Sequence, residues 1–140
     1  MLFLIVPHLY LSSYKDAKEV PKDFFVINCS KELPMVHTEG GGTRLYVDDA
    51  PHSIETMTQN LPLMVKYIDD HIKQNKNVLV HCFAGQQRSA TVVAAYLMCS
   101  KGITVDEAVA FVKSKKPDAF AGGVHFYESL KYNSNKCVSA

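Results

Sequence analysis

The apolar and polar positions along the chain alternate between short apolar runs and longer helical patterns. Two short runs open it, residues 2–6 and 8–11, broken at Pro7, and they predict two strands. Residues 12–20 then predict a short helix with Ser12 or Ser13 as its N-cap, ended by Pro21. The run "DFFVINCS" is apolar and bounded by turn residues, which predicts a buried strand. Three consecutive glycines, 40–42, predict a flexible turn leading into a strand over 44–47. Apolar residues at 54, 57, 61, 64, 65, 68 and 72 follow helical spacing, and Pro62 inside that run must kink the helix or begin a second one. "NVLVH" predicts a short strand of the fully buried, parallel kind. "ATVVAAYLMCS" predicts a buried helix ending near Gly102. Thr104 and Glu107 form a capping box that opens the next helix, which Pro117 closes. "VHFYESLKY" predicts a final amphipathic helix, followed by a frayed end.

Strands alternating with helices predict an α/β fold, here a central, mostly parallel five-stranded sheet flanked by helices. In such sheets ligands bind beyond the carboxyl ends of the strands. The loop between "NVLV" and the following helix sits at such an end, so its residues become the first candidates for function.

Composition narrows the class without naming it. The 140 residues suit one domain, taken here as 1–135 with a flexible tail at 136–140. Since the chain opens on its first expected strand, a stand-alone unit is expected. With a net charge of +1, no global field points to nucleic acid or a membrane. Lys113, Lys115 and Lys116 read as a solvated helix end. The opening "MLFLIV" is too short to span a bilayer and lacks the features of a signal peptide. The cysteines at 29, 82, 99 and 137 show neither paired nor metal-type spacing, which fits a reducing, cytoplasmic setting, with the nucleus also open. Cys99 reads as a core residue. The six histidines form no metal-binding cluster, so no metal or cofactor is expected.

The loop itself reads "HCFAGQQRS", residues 81–89. Backbone N–H groups from Phe83, Ala84, Gly85, Gln86, Gln87 and Arg88 can converge on one anion, and the next helix adds its positive end. The same surroundings stabilise a thiolate, which makes Cys82 a nucleophile. Gly85 permits close backbone approach. Arg88, one of two arginines in the chain, presents a planar fork that fits two phosphate oxygens. Ser89 can donate to the sulfur when the thiolate must leave, and His81 orients the loop without acting as a proton shuttle.

"VLVHCFAGQQRSATVVAAYLM" resembles the signature region of the dual-specificity protein phosphatases, the small branch of the cysteine-based protein tyrosine phosphatase superfamily. The shared features are H-C-x5-R-S/T, A-G within the loop, and the "AYLM" helix. "IVPHLYLSSYKDA" and "VINCSKELP" resemble the family's opening elements and its second signature segment, so the likeness covers nearly the whole chain, as a small atypical member. The resemblance implies a cysteine-dependent phosphatase acting on phosphotyrosine, phosphoserine and phosphothreonine in proteins through a phosphocysteine. It also implies a general acid: an aspartate in a loop after a strand. "LYVDDAPHS" occupies that place, and the family pattern of a β-type residue, a variable position and then the acid favours Asp49, with Asp48 second.

Two departures from the family pattern stand out. Gln86 and Gln87 replace the small or hydroxylated residues of many relatives, and their amides either line the pocket rim or face solvent. The stretch 50–60 also looks longer than usual. None of the loop's variable positions, Phe83, Ala84, Gln86 and Gln87, is basic, which argues against a phosphoinositide substrate, and the near-neutral charge gives an RNA 5′-phosphate no support. A non-catalytic phosphoprotein-binding module is the alternative of a different class. The expected partner is a phosphoprotein, with no nucleic acid and no membrane, and the oligomeric state is left open. Cys29 reads as a buried strand cysteine, with a disulfide to Cys82 under oxidation as the other option.

Overall fold

A computed structural model describes residues 1–37 and 39–137. Five strands form one sheet: β1 (Phe3–Val6), β2 (Leu9–Ser12), β3 (Phe25–Asn28), β4 (Gly42–Arg44) and β5 (Val78–His81), in the order β1-β2-β5-β3-β4. β1 pairs antiparallel with β2, and every other pairing is parallel. This is the expected mostly parallel α/β sheet. β5 is central, and all four of its residues are buried, as its unbroken apolar pattern requires.

Helix α1 (Tyr14–Ala17) lies on one face of the sheet, over a small cluster of Ala17, Val20, Phe24, Val26 and Leu79. Ser13 is its N-cap, accepting from the Asp16 N–H at 3.2 Å. The larger core fills the other face, beneath α2 (Ile54–Lys73), α3 (Arg88–Lys101), α4 (Val105–Lys115) and α5 (Tyr127–Asn133). α3 is apolar nearly all round and is buried from Arg88 to Met98, wedged between the sheet and the other helices. It ends at Gly102, whose φ of +64° suits the left-handed cap. The Thr104–Glu107 capping box opens α4 as expected.

The structure departs from the sequence pattern in four places. The strand expected over 44–47 ends at Arg44. Its partner β3 stops at Asn28, and the Val47 N–H turns back to the Leu45 carbonyl at 3.0 Å. Leu45 and Val47 still point inward while Tyr46 faces out, so the alternation survives without the ladder. Pro62 does not begin a second helix: one helix runs through it, with the proline on the exposed face. Lys116 is not part of a solvated end. It is 2% exposed, its Nζ lies 2.6 Å from Asp118 Oδ1, and it sits over the Phe3 ring.

The fourth departure concerns the cysteines. Cys99 is not a core thiol but forms a disulfide with Cys137. Cys99 lies in the last turn of α3, and the segment after α5 returns against it, a pairing that a separation of 38 residues does not signal. With this bond, cysteine usage gives no guide to the compartment. Of the expected tail, Cys137 is held by this bond, and 138–140 lie outside the described residues. No helix among the described residues is long and apolar enough to cross a membrane.

Candidate active site

The loop from Cys82 to Gln87 leaves the carboxyl end of β5 and feeds directly into α3. Two contacts hold it against the carboxyl end of the neighbouring parallel strand β2. The Tyr14 N–H donates to the Phe83 carbonyl at 3.0 Å, and Gly85 sits with φ at +72° directly over Ser12. A Cβ at Gly85 would come within 2.6 Å of the Ser12 carbonyl oxygen, so both the backbone angle and the space require glycine.

Cys82 is 2% exposed and forms the floor of a cleft of about 150 Å³. Its sulfur lies 3.1 Å from Ser89 Oγ and accepts the Gly85 N–H at 3.3 Å. Among the described residues, no backbone hydrogen bond uses the N–H groups of Phe83, Ala84, Gln86 or Gln87. These residues line the cleft with Cys82 at the amino end of α3, an arrangement suited to an anion.

Arg88 opens α3 and lines the same cleft. Its Nη1 donates to the Val47 carbonyl at 3.2 Å and lies 3.6 Å from Glu32 Oε1. The Val47 contact ties the guanidinium to the segment after β4 that carries the two aspartates. His81 is fully buried, and burial pushes its imidazole down to about 4, so it is neutral at pH 7. Its Nδ1 lies 3.3 Å from the Cys82 carbonyl, and Nε2 has no partner. A neutral ring bonded to the loop backbone can orient it but is placed for no proton transfer to substrate.

The two aspartates diverge. Asp48 turns away: its carboxylate takes His52 Nε2 at 2.8 Å and Lys31 Nζ at 3.2 Å. Those hydrogen bonds, the His52 one first, hold it below the usual carboxylate range. Asp49 lines the cleft with Cys82 and Arg88, and its Oδ1 lies 2.9 Å from His125 Nδ1. The stretch after them, Pro51–Ser53, forms one 3₁₀ turn running straight into α2. Ser53 Oγ accepts the Asp48 N–H at 2.9 Å, pinning the turn.

Gln86 and Gln87 hold a neighbouring segment. The Gln86 amide donates to Asp118 at 3.2 Å, and its carbonyl accepts the Phe120 N–H at 2.8 Å. Gln87 is buried, with its amide directed at residues 121–125. Cys29 is fully buried and free; its N–H donates to the His81 carbonyl at 2.8 Å. Burial pushes its thiol well up, the behaviour of an inert core cysteine.

Sequence reasoning missed Glu32, Asp118 and His125. Glu32 lay in plain view within "SKELP", but nothing in the spacing tied it to Arg88. Asp118 and His125 belong to a connection between helices with no motif of its own. Among the described residues, no group of three or more His, Cys, Asp or Glu side chains is placed to hold a metal.

Comparison with known proteins agrees with this geometry. Residues 9–136 match the family "Dual specificity phosphatase, catalytic domain". The chain is 33% identical over 107 residues to Dual specificity protein phosphatase Mpk3 of Drosophila melanogaster, covering 76% of this chain and 26% of that protein. It is 34% identical over 118 residues to Dual specificity protein phosphatase 7 of Homo sapiens, covering 80% of this chain and 28% of that protein. The chain thus spans about a quarter of the length of these relatives. In fold it is similar to the crystal structure of human DUSP28, with a TM-score of 0.86, 24% identity, and coverage of 96% of this chain and 93% of that one.

Proposed function

The chain belongs to the dual-specificity phosphatase family, and from that premise we propose that it hydrolyses phosphotyrosine, phosphoserine and phosphothreonine in proteins through a phosphocysteine at Cys82. One observation carries this reading. The Cys82 sulfur forms the floor of a cleft whose walls hold unpaired backbone donors, the Arg88 guanidinium and the Asp49 carboxyl.

Each residue then has a place in two displacements. The substrate phosphate sits among the N–H groups of residues 83–88, with the Arg88 fork on its oxygens. The Cys82 thiolate attacks phosphorus in line, and the bond to the leaving oxygen breaks as Asp49 gives that oxygen its proton. A water then attacks the phosphocysteine. Its proton passes to Asp49 and the thiolate departs, helped by the Ser89 hydroxyl 3.1 Å away. Positioning and fixed donors supply most of the rate, and His81 holds the loop. The intact set of Cys82, Arg88 and Asp49 favours turnover over a module that only binds.

The test is hydrolysis of p-nitrophenyl phosphate with a chelator present. The expected result is metal-independent turnover that Cys82→Ser abolishes. Turnover surviving that substitution would overturn the proposal.

A further inference from the structure

The connection between α4 and α5 lies outside the family signature, yet it reaches both halves of the site. Gln87, 5% exposed, fastens it with its whole amide. Nε2 donates to the Ala121 carbonyl at 3.0 Å and the Gly123 carbonyl at 2.7 Å, while Oε1 accepts the His125 N–H at 3.1 Å. Gly122 and Gly123 between them have φ of +82° and +110°, which lets both carbonyls turn toward one side chain. A segment of several residues is thereby hung on the phosphate loop by a single buried amide. It brings Ala121 and His125 to the cleft, and of these only His125 carries a polar side chain, whose Nδ1 lies 2.9 Å from Asp49 Oδ1. Asp49 Oδ2 has no hydrogen bond among the described residues, so only that oxygen is free to face a substrate.

We infer that His125 is a positioning residue for Asp49 and that Gln87 carries it there, an inference that rests on the reading of Cys82 as nucleophile and Asp49 as acid. Nδ1–H donates to Oδ1 and fixes the carboxyl rotamer, which leaves the reactive proton on Oδ2. That proton moves to the leaving oxygen as the phosphorus–oxygen bond breaks and the sulfur–phosphorus bond forms. The carboxylate so produced keeps the His125 hydrogen bond, and Oδ2 then takes the proton of the attacking water as the thiolate is released. His125 retains its own proton throughout. Gln87 serves two ends at once: its backbone belongs to the phosphate cradle, and its side chain sets where the acid stands. Cradle and acid are thus kept in one frame.

A positioning role for the acid is read from leaving groups, because a poor leaving group needs the proton and a good one hardly does. The experiment compares phenyl phosphate with difluoromethylumbelliferyl phosphate. His125→Ala is expected to lower kcat/KM about tenfold on phenyl phosphate, less than the 10²–10⁴ typical of an acid itself, and by less than about twofold on the umbelliferyl ester. Competitive inhibition by inorganic phosphate stays unchanged, since the cradle is intact. His125→Asn, whose amide N–H can stand near the place of Nδ1, restores most of the loss. In an Asp49→Ala background, His125→Ala has no further effect. An equal loss on both esters, or a further loss in the Asp49→Ala background, overturns the inference while leaving the phosphatase reading intact. If the unaltered chain hydrolyses neither ester, the phosphatase reading falls and the inference falls with it.

Discussion

The two walls of the cleft are built in opposite ways. The phosphate loop is contiguous, residues 82–88, and backbone fixes it: a central strand before it, a buried helix after it, and Gly85 pressed on Ser12. The acid wall is assembled from distant stretches, residues 47–49 and 121–125, joined to each other at a half-exposed edge by the single His125–Asp49 side-chain hydrogen bond and hung on the phosphate loop by the Gln87 amide. Backbone and core tolerate little variation, whereas side-chain contacts at a rim can be rearranged at small cost. In the proposed mechanism the first wall holds the phosphate whatever ester carries it, and the second decides how well the proton is delivered.

The contrast predicts a graded set of losses. The largest loss should come from the nucleophile of the phosphate loop. Cys82→Ser should bring turnover of an aryl phosphate to the detection limit, and Arg88→Lys should lower kcat by about 10²–10³, because an ammonium cannot copy the two-pronged contact. Steady-state kinetics on folded protein, checked by circular dichroism, measure both. Changes to the acid wall should separate two adjacent carboxylates, one costing as much as Arg88→Lys and the other almost nothing. Asp49→Asn should lower kcat by about 10²–10³, while Asp48→Asn, whose carboxylate is engaged with Lys31 and His52, should change it by less than about twofold. The reverse ranking would exchange their roles.

Two smaller effects probe the frame of the phosphate loop. Gly85→Ala should destabilise the fold by about 2–4 kcal/mol, since the methyl meets the Ser12 carbonyl at 2.6 Å and φ is +72°. A thermal midpoint equal to that of the unaltered chain would contradict the packing described. His81 titrates near 4 when folded against 6.5 as a free side chain, because burial disfavours its charged form. The unfolded chain therefore takes up the proton first on acidification. Stability should fall as pH drops from 6.5 toward 4, by up to about 3 kcal/mol for this group. His81→Asn should flatten that part of the profile, as read by urea unfolding at several pH values.

Legibility in the sequence followed the same division. Runs such as "NVLVH" and the capping box of α4 carry their structure in local periodicity and caps, so the sheet, its carboxyl-end loop and most helices could be read directly. The placement of Cys82 and Arg88 in one cleft was readable because the motif and its spacing lie within one loop. Asp49 needed the family resemblance, because "VDD" alone does not say which carboxylate faces inward. Side-chain contacts at a distance left no local pattern. Gln87 could be read as rim or solvent, and it proved to be a buried clamp. Lys116 looked like a solvated end because its partners, Phe3 and Asp118, lie on other segments. The Cys99–Cys137 bond was hidden for the same reason.

The proposed mechanism turns on one covalent step, and the slow acid variant offers the means to catch it. Asp49→Ala, mixed with difluoromethylumbelliferyl phosphate and quenched in acid, should form the phosphoenzyme readily and hydrolyse it slowly, for want of a base to activate water. Peptide mass spectrometry should then find one phosphoryl group on Cys82, and none when Cys82→Ser is added. A phosphoryl group on another residue, or fluorophore release with no covalent phosphate on Cys82, would contradict the mechanism.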